Sequence, residues 1–506
     1  MPRRVLPWAF ALLLSPSTVR ASPLIETAGP IGGNGGLQPV ASGPSAASSY
    51  FNPALLVDAE DEVFLGFALI SEQVGITLDG RRGGDVPLFV AGRDVQVPDP
   101  SSPTGYSPLP NSVVPTQWLQ QGCKGGSAPG DCPAPGFKAR PRQSAGTSGK
   151  TRSYLAFGLV KHLIKERLAL GIYTMAPLES LTTAQAFYVD EREALFSNSL
   201  HPELYGDRLT AVSVIAALSL RILPNLSIGV GASLNLSNSA ASADYVQNAS
   251  DYSTLLLNNS VTTSIDVSPI GGIAYEPAEW LRLAGAVHAP EAFDIDTAVT
   301  ATVPGGTESG TTQSSVFDWM PWSASLGAEV RMLRHGPYTM SVVGSAAYSW
   351  WSAYRDRQGQ RPSSYGPGLG WSDTLSGALG TRHVYGNVRG FVDFRYVPSP
   401  VPEQTGRSNY VDNDRVGAAL GADLAWQIGP VQVRPGVQMF VDRLLQRQNT
   451  KDDSKIVDEL PDGAIFGSTQ MPVPGSKGLQ TNNPGWPGFA SSGWVWGGAL
   501  TVSTPL

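Results

Sequence analysis

Charge is scarce in this chain. Only 15% of its 506 residues are Asp, Glu, Lys or Arg, against roughly 25% in soluble domains, so much of the folded surface must be uncharged. Basic runs are missing too: the net charge is -7, and no Lys/Arg cluster follows residue 22, which excludes a general nucleic-acid binder. Long apolar runs are also lacking. In MPRRVLPWAFALLLSPSTVRAS, Arg3 and Arg4 precede an apolar stretch from Val5 to Leu14, and Val19-Arg20-Ala21 closes it. That is a secretory signal over residues 1–21, with Ser22 starting the mature chain. The stretch is too short for a membrane helix, which needs about twenty apolar residues, and no later window supplies one.

Cysteine is nearly absent. Cys123 and Cys132, in GCKGGSAPGDC, are read as a local loop disulfide in an exported protein. Closing so short a loop contributes about 2 kcal/mol. No His lies near enough to complete a metal site, and no metal or other cofactor is expected.

What the chain does have is period two. In VQVRPGVQMFVD, residues 431–442, Val431, Val433, Val437, Met439 and Val441 oppose Gln432, Arg434, Gln438 and Asp442, a strand with one apolar and one polar face. Segments 415–427, 387–396 and 227–237 repeat the scheme. Fourteen candidate strands follow: 62–78, 151–162, 166–178, 207–222, 226–238, 261–276, 280–300, 320–333, 337–354, 373–383, 386–397, 412–427, 430–443 and 491–504.

Their connections alternate in length. A few residues join strands two and three, four and five, and so on, whereas 79–150, 179–206, 239–260, 301–319, 355–372, 398–411 and 444–490 are long. An even number of antiparallel strands, with tight turns at one end and long loops at the other, is the layout of an outer-membrane β-barrel with turns and termini in the periplasm. Closure follows from the bilayer, where every backbone donor needs a partner. Trp319, Trp322, Trp350, Trp351, Tyr354, Trp494 and Trp496 lie near strand ends and suit interfacial girdles.

Fourteen strands enclose more than their own side chains can fill. The Gly/Ser/Ala-rich residues 22–61, which end in the apolar knot FNPALL, are the natural filling, a hatch inside the lumen ahead of a barrel over 62–506. AASSYFNPALLVDAEDEVFLGF resembles the hatch and first strand of the FadL/TodX family of outer-membrane transporters. SPVPEQTGRSNYVDNDR (399–415) and PWSASLGAEVRMLRHGPYTMSVVGSAAYSWWSAY (321–354) are similar to its loop before a late strand and to its eighth and ninth strands. The resemblance implies a fourteen-stranded all-β barrel passing long-chain fatty acids or aromatic hydrocarbons. It also implies capture by extracellular loops and exit through the wall, under control of the hatch and of a kinked third strand. Asn52, Pro53 and Ala54 correspond to the hatch motif; Gly171 or Pro177 is the candidate irregularity of strand three. The partners expected are a hydrophobic ligand, outer-membrane lipid and the barrel-assembly machinery, although the chain ends in VSTPL and not in an aromatic residue.

Following the alternation inward places Phe64, Ile70, Tyr154, Val160, Phe391 and Phe440 on the lumen side, where they line an apolar ligand path, pack the hatch, or do both. Other motifs carry less. SAGTSGKT (144–151) has Ser144 where a phosphate loop needs Gly and follows no buried strand. VDEREALF (189–196) fits a solvated turn or a short ligand-capturing helix. Asp412, Asp414 and Arg415 read as a charged cluster at the start of a strand. His162, on a short turn, and His288, facing inward, have no serine motif beside them, so catalysis is not expected. The competing reading is a general or structural porin-like barrel without hydrophobic specificity.

Overall fold

The computed structural model describes residues 23–80, 95–109, 145–146, 150–178, 201–202, 212–236, 240–247, 254–263, 266–303, 307–356, 359–458, 460–473, 477–479, 481, 483 and 485–506. The expected signal segment 1–21, the Cys123/Cys132 pair and residues 189–196 lie outside the described residues. Of the phosphate-loop look-alike, Ala145 and Gly146 pair with the first strand, and Lys150 and Thr151 begin the second.

Fourteen strands close into one antiparallel ring. They are β1 Glu62–Leu78, β2 Lys150–Ile164, β3 Leu168–Pro177, β4 Val212–Leu223, β5 Leu226–Leu236, β6 Asp266–Ala278, β7 Leu281–His288, β8 Ser323–His335, β9 Tyr338–Ser349, β10 Thr374–Tyr385, β11 Val388–Val397, β12 Arg415–Leu424, β13 Val431–Thr450 and β14 Gly488–Pro505. Each is hydrogen-bonded to its neighbours, and β1 pairs with β14 from Glu62↔Pro505 to Leu78↔Phe489. No edge is left, which is what a sheet at hydrocarbon depth requires.

The pleat sorts side chains as the alternation implied. On β1, Leu65, Phe67 and Leu69 are exposed while Phe64, Ala68 and Ile70 are buried. On β12 and β13, Val416, Leu420, Val437, Met439 and Val441 are likewise exposed. An outer belt of apolar side chains is stable against lipid, not water. Among the described residues no helix is long and apolar enough to cross a membrane.

Four expectations need correction. Segment 280–300 is two strands: β7 ends at His288, and Glu291–Val303 belongs to a separate four-stranded sheet with Ala240–Gln247, Thr254–Thr263 and Thr307–Met320. Pro290 stands at the break, where it has no N–H to give a ladder. Much of the supposed loops 239–260 and 301–319 is therefore strand. The third strand has no kink. Its pairing with β2 is regular through Gly171 and Pro177, and its ladder to β4 is unbroken from Leu168↔Leu220 to Met175↔Ser213. Not all the aromatics are girdle residues: Trp322, Trp350, Trp494 and Trp496 are exposed, but Trp319, Trp351 and Tyr354 are buried with Trp371, Val401 and Tyr410. Tyr354 and Trp371 stack 3.6 Å apart and nearly parallel, so this cluster ties the long connections to one another.

Candidate functional site

Residues 25–59 are almost wholly buried. They fold as a short helix Pro23–Ala28, a turn of helix Ser48–Phe51 and a 3₁₀ segment Pro53–Asp58. Asn52 joins the last two. Its Oδ1 accepts from the Ala54 N–H at 3.1 Å, which caps the 3₁₀ segment, and Pro53 sits at the first helical position, where no N–H is needed. The Asn52 amide donates to the carbonyls of Val40 at 2.7 Å and Ile273 at 3.2 Å. One side chain therefore holds two turns of this segment together and ties them to β6.

The segment meets the wall in three different ways. Residues 26–38 are held by charged and amide side chains of β11 and β13 together with β10. Arg395 donates to the carbonyls of Glu26 and Thr27 at 3.1 and 2.6 Å while paired with Asp442. Arg382 donates to the Gly35 carbonyl while paired with Asp393, which accepts from the Leu37 N–H at 2.7 Å. Gln438 donates to the Pro30 carbonyl at 2.8 Å. Gly36, with φ at +76°, lies so close that a Cβ there would strike Asp393 and Arg382. The glycine-rich stretch 29–36 is held in place, because buried Arg382 donates to the Gly35 carbonyl and Gln438 to that of Pro30.

Residues 58–61 are also held by charge. Asp58 pairs with Arg221 and Arg282, and Asp61 with Lys161 and the His162 ring. Burial opposes ionisation of Asp61, but the Lys161 and His162 hydrogen bonds outweigh it and bring the carboxyl down to about 2. The other nitrogen of His162 lies 3.2 Å from the Val57 carbonyl. Between these anchors, residues 40–57 rest on small or apolar side chains. Pro53–Asp58 packs on β3, β4, β5 and β6, and Val40, Ala41, Ala54 and Leu55 cluster with Ala274 and Ala284.

Phe64, Ile70, Tyr154, Val160, Phe391 and Phe440 are all buried, and all join one apolar cluster with Ile25, Ile31, Tyr50, Phe51 and Leu56. They thus pack the N-terminal segment. Sequence reasoning missed Gly229 and Gly272 and misassigned Gly171: a Cβ on Gly229 would run into the backbone of Pro53 and Ala54, one on Gly272 into Asn52, and one on Gly171 into Ser49 and Leu56. These glycines sit at inward positions of apolar strands, the one signal available.

His288 faces inward and lies edge-on to Tyr50, ring centres 4.6 Å apart. Among the described residues no group of three or more His, Cys, Asp or Glu is placed to hold a metal. Near the long connections, Asp412 is buried, and burial pushes its carboxyl up to about 6 against the opposing pull of Ser399, Arg415 and Arg447. Asp414 accepts from the Tyr396 hydroxyl and the Ser399 N–H, each at 2.8 Å. Lys451 is buried there as well, its ammonium donating to the Ser408 carbonyl at 2.6 Å; burial brings it down to about 7.

The chain matches no protein-family model, and no curated protein matches it in sequence. Solved structures do resemble it. A Pseudomonas aeruginosa FadL homologue aligns over 96% of this chain and 98% of its own, at 14% identity and a TM-score of 0.51. The Pseudomonas putida toluene transporter TodX aligns over 94% and 98% at 10% identity and a TM-score of 0.43, and the Ralstonia pickettii toluene transporter TbuX over 96% and 98% at 11% and 0.40. The first of these shows that the barrel has a FadL-type fold; the other two are too distant to add to that.

Proposed function

We propose that this protein is a bacterial outer-membrane channel for passive uptake of hydrophobic molecules, long-chain fatty acids or aromatic hydrocarbons, with residues 22–61 acting as the hatch. Loops at the long-connection end capture the ligand, and its release through the barrel wall awaits movement of the hatch. Outer-membrane lipid surrounds the belt, and the barrel-assembly machinery inserts the chain. No catalytic role is assigned. The observation that carries the reading is the filling of the ring: an apolar cluster shared by the segment and inward residues of β1, β2, β11 and β13. A pore for sugars or ions needs water along its path, whereas an apolar ligand gains roughly 0.8 kcal/mol per CH₂ taken out of water. The fold of the FadL homologue supports the same reading.

Planar-bilayer recording of the purified protein tests it. The intact channel should pass little ionic current, with large unitary conductance appearing when residues 23–58 are deleted. A large conductance from the intact protein would favour the general-porin reading.

A further inference from the structure

The hatch is bound unevenly, and the uneven part has the form of an occupied site. Residues 26–38 and 58–61 are anchored by ion-paired side chains, but residues 52–57 lie in a socket whose wall is Ser219, Ser227, Gly229, Gly272, Ala274 and Ala284. Within it, two hydroxyls on neighbouring strands converge on a single oxygen: Ser219 and Ser227 donate to the Ala54 carbonyl at 3.0 and 2.9 Å. Withdrawal of the knot takes that acceptor from both hydroxyls and leaves Ser219 only a long contact of 3.5 Å to the Ile228 carbonyl, which is costly in apolar surroundings unless another oxygen takes its place.

A second observation points the same way. Along the inward faces of β6 and β7, the series Ser268, Ile270, Gly272, Ala274 and Ala284, Ala286, His288 run away from the socket towards the long connections. There the Ser268 hydroxyl is buried with no hydrogen-bond partner, and so is the His288 Nδ1, an acceptor that only a protonated carboxyl could serve because the other ring nitrogen hydrogen-bonds the Phe51 backbone. Polar atoms left so, on a wall otherwise made of small apolar groups, are provided for a ligand that carries one polar end past them.

We propose that the β3–β7 socket is a binding site for slender apolar molecules ending in a carbonyl or carboxyl oxygen, with the Ala54 carbonyl occupying the place of that oxygen in the closed state. The inference rests on the transport reading above and narrows it to oxygenated chains such as fatty acids over bare hydrocarbons. The opposite wall is unsuited to such a ligand, because the Arg382–Asp393 and Arg395–Asp442 pairs occupy it.

The test compares uptake of labelled palmitate and labelled hexadecane by cells expressing the barrel and lacking a fatty-acid transporter of their own. The Ser219→Ala/Ser227→Ala variant should lower the palmitate-to-hexadecane ratio roughly tenfold, as expected for two hydrogen bonds made to the ligand. The ratio is the readout because loosening the knot alone moves both rates together. An Ala54→Cys/Ala274→Cys pair, oxidised in a background with Cys123 and Cys132 replaced by Ser, should stop palmitate uptake until reductant is added. An unaltered ratio, or continued uptake with the 54–274 pair oxidised, would overturn the site. Failure of the unsubstituted protein to take up either probe would instead overturn the transport reading itself.

Discussion

The Asn52 side chain commits its hydrogen bonds to holding the N-terminal segment: its Oδ1 accepts from the Ala54 N–H and its amide donates to the carbonyls of Val40 and Ile273. Asn52→Ala should therefore raise uptake of a hydrophobic probe several-fold, at about 1 kcal/mol per lost bond, while the amount of heat-modifiable folded barrel stays unchanged. Equal uptake at equal folded protein would remove Asn52 from the mechanism. Gly229→Leu is the steric counterpart. A side chain there meets the backbone of Pro53 and Ala54, so the knot must leave its socket, and residues 40–57 should become open to limited proteolysis with the ring intact. An unchanged digestion pattern would contradict that packing. Asn52 was legible in the sequence because an Asn-Pro-Ala between bulky apolar residues has little use in a linker. Gly229 and Gly272 were not, because what makes them necessary lies far away along the chain.

Strands were legible where one face had to meet lipid. β1 falls on the span expected from alternation, Glu62–Leu78, because exposed Leu65, Phe67 and Leu69 leave a period that only a wall strand produces. The strands Thr254–Thr263 and Thr307–Met320 were read largely as loops because they are rich in Ser, Thr and Asn, and Ala240–Gln247 because its sequence AASADYVQ carries little apolar alternation. Trp319, Trp351 and Tyr354 misled for a related reason: an aromatic residue near a strand end looks the same whether it faces a membrane interface or a neighbouring loop. The segment 399–415 shows what its charges are for, with Asp414 fastening Tyr396 and Ser399. Asp412 makes a pH prediction. Burial pushes its carboxyl in the folded state up to about 6, from the ordinary 3.8, so the folded state holds the proton more tightly. The stability this gives is complete below 3.8 and lost as pH rises through 6. Asp412→Asn should thus raise the unfolding free energy at pH 7.5 by on the order of 1–3 kcal/mol, read as a higher denaturant midpoint, and leave it unchanged at pH 3.5. A gain equal at both values would show that ionisation is not the cause.

The molecule divides its interior by chemistry. Buried Arg–Asp pairs on the β10–β13 side grip the start of the N-terminal segment, small residues on the β3–β7 side receive its end, and the outer belt is apolar, of aliphatic and aromatic side chains. The ring itself was legible from the alternation of short turns and long loops, a pattern forced by strands that cross a bilayer and return. Which part of the N-terminal segment is anchored was not legible, because Arg382, Asp393, Arg395 and Asp442 look in sequence like any polar lumen residues. The central claim is that this lumen selects for apolar cargo. The most direct measurement is uptake of labelled oleate and of toluene, beside a small sugar, by cells without their own fatty-acid transporter that express this barrel. Uptake of oleate or toluene with exclusion of the sugar is the predicted result. Uptake of the sugar alone would contradict the account and leave a porin with a FadL-type fold.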